Sequence, residues 1–230
     1  MRVGYTQIRE LAPDELALVP EDERNREFGS EQRRQQYLCG RSLLRLMLQE
    51  RTGRPAASFE LATTEHGKPV CVDGPAVGIT HTGNTVACGI ADCGELGIDL
   101  EIVNERRDTS RVARKFFSGE EADWLETQPQ DRFTMLWVLK EAYVKAKGQS
   151  IFGSVNRLRC KVVPPLIEPS VESEPFRDLC LYAAGDCYLA LVTTEASLRD
   201  ATVQRWESGS DTLQVDTQFQ LTASRYDYAN

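Results

Sequence analysis

The chain has 230 residues, 41% of them hydrophobic and 27% charged, with a formal net charge of −8. That length can bury a real core in one large domain or two small lobes, and the acidic balance excludes duplex nucleic acid as the main ligand, which needs a basic face. No apolar run approaches membrane-spanning length and Met1-Arg2-Val3-Gly4-Tyr5 carries no apolar h-region, so a cytoplasmic protein without a membrane partner is expected.

In chain order, the first clear element is a helix from Ser30 to about Thr52. Ser30 can cap it, Leu38, Leu44, Met47 and Leu48 supply apolar positions, and Gly53 with Pro55 ends it. Short β-like runs follow at Phe59–Ala62, Val70–Val72, Ala76–Thr80, Val86–Ala91 and Leu96–Val103, separated by the turn signals His66-Gly67-Lys68-Pro69, Asp73-Gly74-Pro75 and Gly83-Asn84. Ser118-Gly119-Glu120-Glu121 then has the form of a capping box, and a longer helix from about Asp131 to Lys147 carries Phe133, Leu136, Trp137 and Val144 on one face. Strand-like runs return at Leu158–Val163, Leu179–Ala184 and Tyr188–Thr194. The order predicts an α+β chain of two similar-sized lobes, 1–98 and 99–198, and a polar tail over 199–230, expected to be partly disordered although Thr202–Trp206 can add a strand.

The seven cysteines form no CxxC pair and only two histidines accompany them, which reads as buried reduced thiols rather than a zinc site. Six arginines, at 24, 26, 33, 34, 41 and 45, crowd one stretch of this acidic chain and could hold a polyanionic small molecule.

Three groups of residues carry chemistry. In Gly97-Ile98-Asp99-Leu100-Glu101, alternate side chains of a strand share a face, so Asp99 and Glu101 point one way. Two adjacent carboxylates repel unless a cation sits between them, and Mg2+ is normally held by one or two carboxylates plus phosphates and water. A polar strand face is the plain alternative. On the 131–147 helix, Lys140 falls within the apolar stripe, Glu141 lies at its margin and Lys145 is one turn on. An exposed Glu–Lys pair is the ordinary reading, but aromatic neighbours favour charges that face a cleft. Third, His66-Gly67-Lys68-Pro69 and Thr80-His81-Thr82 offer a rigidly held lysine, hydroxyls and an imidazole. Neither a G-x-x-x-x-G-K-[ST] loop nor a G-x-G-x-x-G fingerprint is present, so dispersed side chains would have to hold any nucleotide.

Taken in order, Gly-Lys-Pro, Thr80-His81-Thr82, Gly-Ile-Asp-Leu-Glu, Phe116-Phe117-Ser118 with its acidic partners and Trp-x-x-Lys-Glu-Ala-x-x-Lys-Ala resemble the surfactin-type (Sfp-like) 4'-phosphopantetheinyl transferases, as does Cys39-Gly40-Arg41-Ser42-Leu43-Leu44-Arg45. The resemblance runs from about Glu21 to about Gly148. It implies two α+β lobes in a pseudo-twofold pair with coenzyme A in the cleft between them. It also implies Mg2+, with Mn2+ as a substitute, on Asp99, Glu101 and Glu141, and Lys145 on the pyrophosphate. Lys68, Thr80 and His81 would meet the adenosine-phosphate part, and Arg41, Arg34 and Lys140 would add positive charge. Thr80-His81-Thr82 departs from the commoner Ser-His-Ser but keeps its hydroxyls.

The implied reaction passes phosphopantetheine from coenzyme A to a serine of an apo carrier protein of fatty-acid, polyketide or nonribosomal-peptide synthesis, and adenosine 3',5'-bisphosphate leaves. Glu141, with Asp99 and Lys145 beside it, would take the serine proton directly or through a metal-bound water. Arg106, Arg107, Arg111, Arg114 and Lys115 form a basic run that could meet an acidic carrier or could simply be a solvated helix face. A two-lobed chain would complete its site as a monomer. The rival readings are a phosphodiester hydrolase on the same carboxylates, a non-catalytic coenzyme A or carrier-binding scaffold, a plain interaction domain, and the short stand-alone holo-carrier synthases, whose chains are too short for this length.

Overall fold

The computed structural model describes residues 1–150, 154–169, 178–194, 198, 201–210 and 212–224. Its elements, in chain order, begin β1 (Arg2–Gln7), α1 (Pro13–Ala17), α2 (Glu21–Arg24), α3 (Glu31–Thr52), β2 (Leu61–Thr63), β3 (Pro69–Cys71), β4 (Ala76–Thr82), β5 (Thr85–Ala91) and β6 (Leu96–Ile102). They continue with α4 (Thr109–Phe116), α5 (Gly119–Leu125), α6 (Asp131–Ala146), β7 (Cys160–Val163), β8 (Leu166–Pro169), β9 (Asp178–Ala184), β10 (Cys187–Thr193), β11 (Thr202–Arg205), β12 (Gln214–Val215) and β13 (Gln220–Ser224). The architecture is α+β.

Local chemistry sets the helix ends where the sequence marks them. The Ser30 hydroxyl accepts the Arg33 N–H at 3.2 Å, and Gly53 closes α3 in the left-handed conformation at φ 73°. At α5, Ser118 and Glu121 form the reciprocal capping box.

The strands make two main sheets. The first runs β12-β11-β1-β5-β4, the second β6-β10-β9-β13-β8-β7, and β2 with β3 forms a separate hairpin. Helix α3 covers the first sheet, packing Leu43, Leu44, Met47 and Leu48 with Val77, Cys88 and Ile90. Helix α6 covers the second, packing Leu136, Leu139, Tyr143 and Val144 with Leu179, Leu181, Ala190 and Val192. A further core cluster joins the two sheets, with Val3, Tyr5 and Ala87 from the first meeting Ile98, Leu100, Leu189 and Leu191 from the second.

At their edges the sheets come together where β4 lies along β6. Two glycines make this junction possible. A Cβ on Gly78 of β4 would lie 2.7 Å from Ile98 Cγ2 of β6, and one on Gly97 of β6 would lie 1.7 Å from the Ala142 carbonyl oxygen of α6. The backbone of α6 therefore rests directly on β6, which places its Glu141 and Lys145 over the strand that carries Asp99 and Glu101.

Several elements escape a local reading. β1 is buried from Val3 to Thr6 and shows no alternation, because it lies between β5 and β11 within its sheet. In the stretch beyond Leu198, β11 pairs in parallel with β1, matching Thr202 to Arg2, while β13 pairs with β9 of the second sheet. Of this polar tail, residues 199, 200, 211 and 225–230 lie outside the described residues. Five of the cysteines are buried, Cys187 is half-buried and Cys93 is exposed. Among the described residues, no helix is long and apolar enough to cross a membrane.

Candidate active site

The centre of the site is a three-way contact at the sheet junction. The Lys145 ammonium, on α6, lies 2.5 Å from Asp99 Oδ1 on β6 and 3.2 Å from Thr80 Oγ1 on β4. The Thr80 hydroxyl itself donates to Asp99 Oδ1 at 2.9 Å. One strand pleat further on, the Thr82 hydroxyl donates to Glu101 Oε2 at 3.4 Å. The two carboxylates that alternate along β6 are thus matched by the two hydroxyls that alternate along β4.

Glu141 completes a trio of carboxylates. Burial, together with the charges of Asp99 and Glu101, pushes its carboxyl up to about 7. Burial and Asp99 also raise Glu101, against the pull of Arg107, whose Nη1 is 3.9 Å from Glu101 Oε1. For Lys145, burial alone would lower the ammonium's pKa, but the charge and hydrogen bond of Asp99, with Glu141 and Glu101, outweigh it and raise the value. Mutual repulsion of this kind is relieved by a cation.

The donor set suits a divalent ion shared with a ligand. Among the described residues no three His, Cys, Asp or Glu side chains are gathered tightly enough to hold a metal by themselves. Asp99 Oδ2, however, is buried with no hydrogen-bond partner among the described residues. Mg2+ keeps waters and takes phosphate oxygens alongside one or two carboxylates, so an oxygen left unsatisfied beside two repelling carboxylates fits it.

A cavity of about 380 Å3 is lined by Arg26, Phe28, Arg33, Tyr37, Arg41 and His81 among others, the last of these following Thr80 on β4. Arg41 is only 4% exposed, and its guanidinium is held by the Tyr37 hydroxyl, the Leu61 carbonyl and the Glu23 carboxylate. Its Nη1 is buried and has no hydrogen-bond partner among the described residues. A clamped arginine with one unused edge is a ready anion donor. His81 stands at this cavity, where partial burial and the nearby Lys145 and Arg33 charges hold its pKa below the ordinary value. Lys68 reaches from the β2–β3 turn to donate to the Ala146 carbonyl at 2.5 Å, at the end of α6. With Lys145 it lines a smaller cavity of about 110 Å3, and burial lowers its pKa.

Two predicted residues do not join the cleft. Lys140 is fully buried: its ammonium bonds Glu121 at 2.9 Å and the Leu158 carbonyl at 2.5 Å, and sits 4.8 Å from the Phe117 ring. Its place on the apolar stripe marks an interior ion pair rather than a ligand contact. Arg34 pairs with Glu31 at 3.3 Å and lines a different cavity with Arg9 and Leu38, away from His81. Arg33 takes the place expected of it. Helical phase carries that signal, since stepping back from Arg41 by fours gives Tyr37 and then Arg33. In the basic run after β6, Arg114 is occupied by Asp123 at 2.8 Å and Glu126 at 2.5 Å.

The site thus sets acidic groups on β6 and α6 near a pocket lined by arginines and His81. Residues 95–175, which include Asp99, Glu101, Glu141 and Lys145, match the model of the 4'-phosphopantetheinyl transferase superfamily. The chain is 30% identical over 160 residues to a putative 4'-phosphopantetheinyl transferase of Synechocystis, covering 65% of each chain. It is also 31% identical over 150 residues to the 4'-phosphopantetheinyl transferase HetI of Nostoc, covering 61% of each, and 30% identical over 123 residues to the transferase gsp of Aneurinibacillus migulanus, covering 52% of this chain and 51% of that one. The matches thus span between half and just under two thirds of these relatives' lengths.

Proposed function

We propose that this chain transfers the 4'-phosphopantetheine arm of coenzyme A to a serine of an apo carrier protein. The serine oxygen forms a new bond to the phosphorus next to pantetheine, the bond to the other phosphate breaks, and adenosine 3',5'-bisphosphate departs. The observation that carries this reading is the Lys145–Asp99–Thr80 contact, an ammonium held against a buried carboxylate and against Thr80, one residue along β4 from His81, which lines the arginine-lined pocket. Phosphoryl transfer depends mainly on positioning and charge neutralisation, and this cluster offers both.

Each residue then has a task. Arg41, through its unpartnered Nη1, with Arg33, Arg26 and His81, holds the phosphoadenosine end. Lys145 faces the pyrophosphate and offsets charge on the departing phosphate. Asp99, Glu101 and Glu141 would hold Mg2+ together with the ligand's phosphates, and the ion would supply charge neutralisation. Glu141 is also the residue we assign to accept the serine proton. We read the two sheet-and-helix units as paired lobes with the site between them, which lets one chain act as a monomer. The carriers would belong to fatty-acid, polyketide or nonribosomal-peptide synthesis.

The direct test is intact-mass analysis of an apo carrier protein incubated with this chain, coenzyme A and Mg2+. The expected result is a gain of one phosphopantetheinyl group that a chelator abolishes. No gain on carriers of all three kinds, from a folded protein that binds coenzyme A, would overturn the reading in favour of a binding scaffold.

A further inference from the structure

The charged groups along the cleft are arranged in a row. Trp137, Glu141 and Lys145 occupy successive turns of one face of α6, and Asp99 and Glu101 run alongside on β6. Lys145 closes one end by bonding Asp99, and Arg107 closes the other through Glu101. The phosphate-binding cavities lie at the Lys145 end, since Lys145 lines one of them with Lys68, while His81 and Arg33 line the other.

Arg107 lies in the turn after β6, held by its N–H bond to the Asn104 carbonyl at 3.0 Å. Its guanidinium centre sits 5.3 Å from the Trp137 ring and 5.9 Å from the Phe133 ring. These two rings are stacked on one another at 5.9 Å, so they offer a fixed aromatic shelf. The side chain is 35% exposed, and its guanidinium makes no hydrogen bond to any described residue. A structural arginine normally spends its donors on carbonyls or carboxylates, as Arg45 does on Ala56, Phe59 and Glu23. Arg107 instead lies against two aromatic rings with its Nη1 3.9 Å from Glu101 Oε1, beyond hydrogen-bond reach.

We infer that Arg107 is a substrate-positioning residue at the carrier-facing end of the site, where it binds a non-bridging oxygen of the phosphoryl group as that group passes to the serine. This rests on the transferase reading above. The rings set the plane of the guanidinium, Glu101 sets its direction, and its donors meet an oxygen that stays on phosphorus throughout. The Lys145 end serves the departing bisphosphate and the Arg107 end serves the group that is kept.

The test compares wild type with Arg107→Ala and Arg107→Lys in the presence of Mg2+. Calorimetry gives the affinity for coenzyme A, and intact mass gives the single-turnover transfer rate to an apo carrier. Loss of one positioned donor is expected to slow the Arg107→Ala transfer step about 100-fold, with coenzyme A affinity held within about twofold. Arg107→Lys, which keeps the charge and loses the planar fork, should fall between. A transfer rate unchanged in Arg107→Ala would overturn the inference, as would a loss of coenzyme A affinity equal to the loss in rate. Equal melting temperatures for wild type and Arg107→Lys separate positioning from folding, and a lysine variant that is both destabilised and as slow as the alanine one counts against it. If wild type binds coenzyme A yet transfers nothing, the transferase reading fails instead.

Discussion

Lys145 Nζ and Asp99 Oδ1 are 2.5 Å apart, and both reach Thr80 Oγ1, so one ammonium ties α6, β6 and β4 together at the point where the two sheets meet. Asp99 therefore bonds Lys145 through Oδ1, while its buried Oδ2 has no hydrogen-bond partner among the described residues and is the oxygen we propose for a cation. Asp99→Asn keeps the shape and removes the charge. Phosphopantetheine transfer is expected to fall by at least about 100-fold while the circular dichroism spectrum stays that of wild type. Near-normal transfer would remove Asp99 from the site.

Glu141 makes the protein pH-dependent in a defined direction. Its folded-state pKa of about 7 exceeds the ordinary 4.5 because of burial and then the charges of Asp99 and Glu101. A carboxyl raised on folding binds its proton more tightly in the folded protein, so its contribution declines as pH rises from 4.5 through about 7. Metal-free wild type should therefore lose melting temperature across that window relative to Glu141→Gln, which lacks the slope. The same substitution should cost about 100-fold or more in transfer and less in coenzyme A affinity. Parallel melting curves at every pH would refute the assignment of the shifted group.

The buried Lys140–Glu121 pair predicts a stability effect rather than a binding effect. Lys140→Met leaves the Glu121 carboxylate buried without its counter-charge, which costs about 3–5 kcal/mol. Glu121→Gln in the same chain removes that charge, and its one amide oxygen can still accept from either the Ser118 or the Cys160 N–H, which reach different carboxylate oxygens, so it should recover part of the loss. Urea unfolding of the single and double variants measures this. Coenzyme A affinity of the folded fraction should not change.

Gly97→Ala and Gly78→Ala differ in what each methyl meets. At Gly97 it would strike the α6 backbone at Ala142, which cannot yield, and at Gly78 it would meet the Ile98 side chain, which can turn. Gly97→Ala should cost more than about 4 kcal/mol or abolish soluble expression, while Gly78→Ala should cost about 1–3 kcal/mol. Chemical denaturation ranks the two, and a reversed ranking would contradict the packing of α6 on β6.

The arginines of α3 should separate cleanly. Arg41→Lys and Arg33→Ala are each expected to raise the KM for coenzyme A about 10-fold or more, because a charged donor is lost from the pocket. Arg34→Ala, at a residue that lines a different cavity, should leave it within about twofold. Steady-state kinetics with varied coenzyme A distinguishes them, and equal effects at 33 and 34 would mean that the pocket is not where the ligand phosphates sit.

Much of this was legible in the sequence because its causes are local. A serine before a polar-apolar repeat and a glycine after it bound α3, and the Ser118–Glu121 spacing writes the capping box. Alternation on β6 puts Asp99 and Glu101 on one side and buries Ile98 and Leu100 on the other. Lys140 shows where local reasoning stops. Helical phase rightly places it inside the apolar face, but its partner Glu121 comes from another helix, and only that partner turns a candidate phosphate ligand into an interior ion pair. Arg33 and Arg34 are similar, since adjacent helical residues point about 100° apart and the docking of α3 selects between them.

The sequence by itself determined the α+β composition, the ends of the principal helices, and the chemistry-bearing residues of β4, β6 and α6, because period, caps and turns act over a few residues. The tertiary structure decided which charges meet. It brought Thr80 to Asp99 through the edge contact of β4 and β6, laid α6 on Gly97, and placed β11 beside β1 from the far end of the chain. Such pairings are fixed by long-range packing, where burial and steric fit between distant segments outweigh anything that a residue's near neighbours can specify.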